Sequence, residues 1–195
     1  MIFGSLNFLT GDKESVKLVE LLGVGRGDAV AEIGAGDGQL CFFLAEVVGG
    51  EEGVVYATEF EELKVENILK QKEQKKLSNL KVVRSGANSP SLPNIQFDHI
   101  IMKKVYHHFT NAAELNRSFF NLLKPGGKMA IVDFEPKWYL RFSTPKGIPQ
   151  KYGGHGIYKK VLVEEVEASG FILRQMVHDW AVGGLYIALF EKPAS

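Results

Sequence analysis

The sequence predicts an α/β fold in which βαβ units build a parallel sheet with helices packed on both faces. Two observations carry this. Apolar runs of strand length alternate with longer segments of helical period along most of the chain. A glycine-rich stretch, AEIGAGDGQL from Ala31 to Leu40, also stands where the first strand hands over to a helix. At 195 residues the chain fits one domain, with room for a single sizeable core.

The elements follow in order. SVKLVELL (Ser15 to Leu22) has Val16, Val19 and Leu22 on one helical face and is closed by Gly23. Asp28 to Ile33 is the first strand, and a helix from about Gln39 to Val48 is stopped by Gly49 and Gly50. GVVYATEF gives a second buried strand, and a charged helix follows in EELKVENILKQKEQKKL. LKVVR and FDHIIM are strands three and four, separated by a Ser-, Asn- and Pro-rich loop. Asn111 and Glu114 have the spacing of a capping pair for a helix through Leu123, KPGG ends that helix, and KMAIVDF is strand five. Residues 135–156 form a long irregular connection. After it come a helix in VLVEEVEASGF, a strand in FILRQMV and a last strand in LYIALFEKP. The whole chain reads as one domain, with residues 1–14 as a short N-terminal segment.

Lys plus Arg number 23 and Asp plus Glu number 23, so no global field draws the molecule to nucleic acid or to a membrane. No export signal or membrane-length apolar run is visible, and the expected location is the cytoplasm. Cys41 is the single cysteine and lies in an apolar helix, so no disulfide framework and no Cys/His metal spacing are present; no metal is expected.

A glycine-rich turn from strand to helix lets backbone N–H groups approach a ligand at the positive end of the helix. The spacing Gly34-x-Gly36-x-Gly38 departs from the G-x-G-x-x-G of dinucleotide sites, which disfavours a nicotinamide oxidoreductase. Asp37 in the turn suits a ligand carrying positive charge better than a diphosphate. Glu59 ends the second strand, where a carboxylate can accept both hydroxyls of a ribose, and Phe60 can stack on an adenine face.

With VAEIGAGDGQL, the acid of YATEF, FDHIIMKKVYHHF, LKPGGKMAIVDF and ASGF…YIALFEKP in place, the chain from about 15 to 191 resembles the class I S-adenosylmethionine-dependent methyltransferases. The resemblance implies a Rossmann-like doubly wound sheet of seven strands, mostly parallel with the last strand antiparallel. It implies that Glu32, Gly34, Ala35, Gly36 and Gly38 cradle the methionine part of S-adenosylmethionine, Glu59 the ribose and Phe60 the adenine. One departure stands out: the acid such proteins often carry after strand three is missing from RSGANSPSLP. Asn88 can accept from the adenine amino group there, and Ala87 can offer its backbone N–H.

Methyl transfer from a sulfonium is an in-line displacement, so alignment and water exclusion matter most, and a base is needed only if the acceptor must lose a proton. MKKVYHHF places Lys103, Lys104, Tyr106, His107 and His108 at the carboxyl edge of the sheet. Tyr106, His107 and, in the later connection, His155 are the candidate catalytic groups, while His108 reads as a polar helix-start residue. Lys103, Lys104, Asp133 and Trp138 are the candidate acceptor contacts. Lys137 to Lys160 holds six Lys/Arg and no Asp or Glu, interleaved with aromatics, and 135–156 reads as a lid able to touch an aromatic or anionic small molecule, an acidic membrane surface or single-stranded nucleic acid, or else as a surface loop anchored by its aromatics. Amino methylation of nucleic-acid bases and C5 methylation of pyrimidines lack their usual residues, so a small-molecule acceptor is expected and a nucleic-acid partner is not. The alternatives are a non-catalytic S-adenosylmethionine-binding protein and, less favoured, an NAD-dependent oxidoreductase.

Overall fold

A computed structural model describes residues 13–86, 89, 91–137, 148–149, 152, 154–181 and 184–194. Helix α1 (Lys13–Leu22) leads into strand β1 (Ala29–Ile33), helix α2 (Gln39–Val48), strand β2 (Val54–Glu59), helix α3 (Glu62–Lys75) and strand β3 (Leu80–Arg84). Strand β4 (Phe97–Lys103), a 3₁₀ turn at Tyr106–His108, helix α4 (Ala112–Leu122), strand β5 (Leu123–Phe134), helix α5 (Lys159–Glu167) and strands β6 (Ile172–Ala181) and β7 (Leu185–Glu191) complete it. The sheet has seven strands in the order β3-β2-β1-β4-β5-β7-β6. β7 pairs antiparallel with β5 and β6, and the other pairings are parallel, as the sequence implies.

Strand alternation decides which residues fill each layer. Val30, Val55, Ile101 and Val132 face one side, where they meet Leu18 and Leu22 of α1, the apolar run of α2 and Ile68 of α3. Ile100, Met102, Met129, Ile131, Tyr186 and Phe190 face the other, against Leu115 and Phe119 of α4 and Leu162 and Val166 of α5. Burial on both faces explains why the central strands are almost continuously apolar in sequence. Cys41 is fully buried in the first layer and its thiol donates to the Gly38 carbonyl at 3.1 Å, which fits the core role read from its surroundings.

Two local expectations need correction. KPGG does not form a connection after the helix: α4 stops at Leu122, and β5 begins at Leu123 and runs through Lys124–Gly127. Gly127 permits this, because a Cβ there would lie 2.8 Å from the Lys124 carbonyl and 3.1 Å from that of Asp98 on β4. At the start of α4, Asn111 makes no side-chain bond to the backbone. Its amide instead meets the Glu114 carboxylate side chain to side chain.

From β1 the chain crosses outward through β2 to β3, whereas from β4 it crosses the other way to β5. The carboxyl ends of β1 and β4 are therefore a topological switch point, where such sheets open a crevice. The glycine loop lies there. Gly38 is the N-cap of α2 with φ 84°, and an added Cβ would lie 2.9 Å from the Phe42 ring and 3.1 Å from Ile68. Gly38→Ala should lower the unfolding free energy by about 2–3 kcal/mol, from backbone strain and overpacking together. Urea unfolding would read this as a lower midpoint at unchanged slope.

Candidate cofactor and acceptor site

The loop after β1 is fixed before any ligand is considered. Gly34 and Ala35 both donate their amides to the Thr58 carbonyl on β2, at 2.9 and 2.8 Å. The next amide, Gly36, donates to Glu59 Oε2 at 2.8 Å. Glu59 Oε1 accepts from the amides of Phe60 at 2.7 Å and Glu61 at 3.0 Å. One buried carboxylate thus joins the glycine loop to the end of β2. Three N–H donors leave part of its acceptor capacity for a ligand hydroxyl. Gly36 has φ 57° and open space where a Cβ would project, which leaves that side of the loop clear for a ligand.

Two depressions meet at this loop. The larger, about 740 Å³, is lined by Gly34, Gly36, Glu59 and Phe60, by Lys103, Lys104 and Val105, and by His108, Phe109, Leu115 and Phe119. The smaller, about 270 Å³, is lined by Glu32, Ala35, Asp37 and Leu40 and shares Gly34, Gly36, Lys103 and Lys104 with the first. Phe60 is 59 % exposed at the lip, a placement that suits a stacking surface better than a core role. Gly86 and Ser89 bracket the larger depression opposite, and the Gly86 amide donates to the Ser89 carbonyl at 3.0 Å. Ala87 and Asn88, the expected adenine contacts, lie outside the described residues, as does Trp138.

Glu32 is 3 % exposed, and its Oε2 has no hydrogen-bond partner. Burial pushes its carboxyl up to about 8 and Glu59 adds to this, while Lys103 draws it down. Lys103 itself is held by Glu14, Nζ to Oε2 2.9 Å. An unpartnered carboxylate oxygen beside an open, glycine-lined cleft fits a ligand that brings positive charge.

The candidate catalytic and acceptor residues fall into different environments. Tyr106 is fully buried in the core behind the 3₁₀ turn. Its hydroxyl donates to Glu165 at 3.2 Å and accepts from Asn116 Nδ2 at 2.8 Å, and burial drives its pKa upward. It does not line either depression, so the expectation of a catalytic role is corrected to a structural one. Tyr152 of the connection is buried as well and donates to Glu165 at 3.0 Å.

Asp133, an expected acceptor contact, is fully buried with its carboxylate against His107. His107 Nδ1 lies 2.8 Å from Asp133 Oδ1 and 3.0 Å from Oδ2, and the His107 amide donates to Oδ2 at 3.3 Å. A carboxylate only accepts, so Nδ1 is the donor in this pair, and Nε2 has no hydrogen-bond partner. His155 packs edge-on to His107 with ring centroids 4.9 Å apart, while His108 stacks at 4.2 Å and lines the larger depression. Burial, then the neighbouring His107, hold His108 and His155 below the usual histidine range. This grouping was not visible in sequence, where His155 stands 47 positions beyond His108.

A doubly wound sheet in this strand order, with a carboxylate-braced glycine loop at its switch point, defines a nucleoside-binding protein. The methyltransferase-domain family model matches residues 25–169. A ubiquinone/menaquinone biosynthesis C-methyltransferase UbiE from Yersinia enterocolitica is 28% identical over 116 residues, which are 60% of this chain and 46% of that protein. The match thus spans under half of the curated relative's length. Among solved structures, a SAM-dependent methyltransferase from Aquifex aeolicus superposes with TM-score 0.73 at 23% identity, covering 91% of this chain and 88% of that one. The [4+2]-cyclase SpnF does so with TM-score 0.74 at 15% identity, covering 93% and 81%. The chain belongs to the class I S-adenosylmethionine-dependent methyltransferase family, whose cofactor is S-adenosylmethionine.

Two measurements test the assignment of residues to that cofactor. Positive charge on a ligand favours ionised Glu32, so below about pH 8 binding must expel the Glu32 proton. Affinity for S-adenosylmethionine should rise up to roughly tenfold per pH unit between pH 6 and 8 and then level off. In Glu32→Gln the titration calorimetry should give weaker binding with a flat profile. Glu59→Ala should weaken cofactor binding by about 1–3 kcal/mol through unpaired ribose hydroxyls and loss of the loop brace; unchanged affinity would contradict the assignment.

Proposed function

We propose that this protein transfers the methyl group of S-adenosylmethionine to a small acceptor with an aromatic or quinol-like ring. The observation that carries the reading is a single cavity holding Gly36, Glu59 and Phe60 together with an apolar wall of Phe109, Leu115 and Phe119. Lys104 at its edge is exposed and suits an anionic substituent. The curated relatives named as C-methyltransferases of quinone biosynthesis favour a ring carbon as the accepting atom.

The bound cofactor supplies an electrophilic methyl on a cationic sulfur. The protein's task is alignment. Glu59 and the glycine loop hold the nucleoside, Phe60 offers a face to the base, and Glu32 neutralises positive charge in the smaller cleft. The apolar wall excludes water from the line of attack and seats the acceptor ring. His108 lines the same cavity, and the His107 ring, oriented by Asp133, packs against His108. The expected lid, residues 135–156, lies largely outside the described residues, of which Ile148 and Tyr152 are buried. No helix among the described residues is long and apolar enough to cross a membrane. We infer a cytoplasmic protein, with its lone cysteine buried.

Incubation with methyl-labelled S-adenosylmethionine and a panel of hydroquinones and phenols should yield a labelled ring product, reduced about a hundredfold by Phe60→Ala with Glu59→Ala. Label entering protein or nucleic acid instead, with none in the panel, would overturn the acceptor class.

A further inference from the structure

The methyl transfer just described makes no use of one feature of the three histidines, their mutual approach. One ring nitrogen from each of His107, His108 and His155 can be chosen so that all lie within 4.8 Å of one another. A tetrahedral divalent ion bound at about 2.1 Å by imidazole nitrogens needs donors about 3.4 Å apart, so binding would draw the three nitrogens closer together. These histidines come from two separate places, the 3₁₀ turn after β4 and the loop before α5. The second is fixed by the fold: the Ile157 amide donates to the Phe134 carbonyl at 2.9 Å, and Gly156 has φ 112° with no room for a Cβ beside that carbonyl.

The state of His107 is the independent observation. It is 1 % exposed, yet its Nε2 has no partner, and a buried polar nitrogen without one is costly. Its other nitrogen is tied to Asp133, the carboxylate–histidine arrangement that fixes ring and tautomer behind metal-binding imidazoles. Phe134 packs against His107 and His155 with ring centroids 5.0 and 5.1 Å away, giving the cluster an apolar flank. Imidazole donors without a carboxylate in direct contact suit zinc and its neighbours over magnesium or calcium.

We propose that His107, His108 and His155 bind one zinc-type divalent transition ion at the wall of the acceptor cavity, with Asp133 as the outer partner of His107. Three protein ligands leave a fourth position for water or an acceptor oxygen. The ion would also link the loop before α5 to the end of β4.

The test uses the untagged full chain, stripped with a chelator. Calorimetric titration with Zn²⁺ should show one ion per chain, and Co²⁺ should give the visible absorption of a four- or five-coordinate site. His155→Ala and His108→Ala should each weaken Zn²⁺ binding at least tenfold to a hundredfold, while His178→Ala, at an exposed position on β6, leaves it unchanged. The far-ultraviolet circular dichroism of each variant in chelator should match the parent, and binding of S-adenosylmethionine reports separately on the cofactor assignment. No Zn²⁺ uptake at high micromolar concentration, or an affinity unchanged from the parent in both His155→Ala and His108→Ala, would overturn the site.

Discussion

The carboxylate of Glu59 is where the architecture becomes a binding site. It accepts from Gly36 on one strand's loop and from Phe60 and Glu61 on the next, so the two central crossovers of the sheet close on one side chain. Charge-assisted bonds to backbone amides are among the stronger hydrogen bonds, and these are largely sheltered from water. The brace holds the glycine loop open at Gly36 and sets Phe60 at the lip beside it. What the nucleoside meets is therefore built before it arrives, and little ordering remains to be done on binding.

Behind that brace the chemistry divides by depth. Glu32 has lost solvent without gaining a full set of partners, so in the empty protein it holds its proton at neutral pH, and a cationic ligand would favour the ionised form. The larger cavity combines the apolar Val105, Phe109, Leu115 and Phe119 with Lys103, Lys104 and one imidazole, His108. That a structure with TM-score 0.74 carries the name of a cyclase shows how little the sheet itself dictates the reaction. The side chains that follow β4, among them Lys104, His108 and Phe109, line this cavity.

The sheet, its helices and the cofactor loop were legible because they rest on local signals: apolar period, glycine spacing, and an acid at the end of β2. The reading weakened where the fold brings distant residues together. Tyr106 sits among polar neighbours in sequence, but the 3₁₀ turn rolls it into the core onto Asn116 and Glu165. Asp133 ends a strand at the site edge, yet its side chain turns inward to His107. Adjacent histidines in HHF gave no hint that a third would arrive from the loop before α5. KPGG reads as the end of α4, and α4 does stop just before it, but β5 starts already at Leu123 and takes in these residues, where Gly127 lies close to the Asp98 carbonyl.

A crystal structure with S-adenosylhomocysteine bound would bear most directly on this arrangement. The ribose hydroxyls should lie within hydrogen-bond distance of the Glu59 carboxylate, with the Gly36 amide still donating to it and the amino-acid end of the ligand toward Glu32. A nucleoside seated elsewhere, or one that leaves Glu59 bonded to backbone alone, would contradict it.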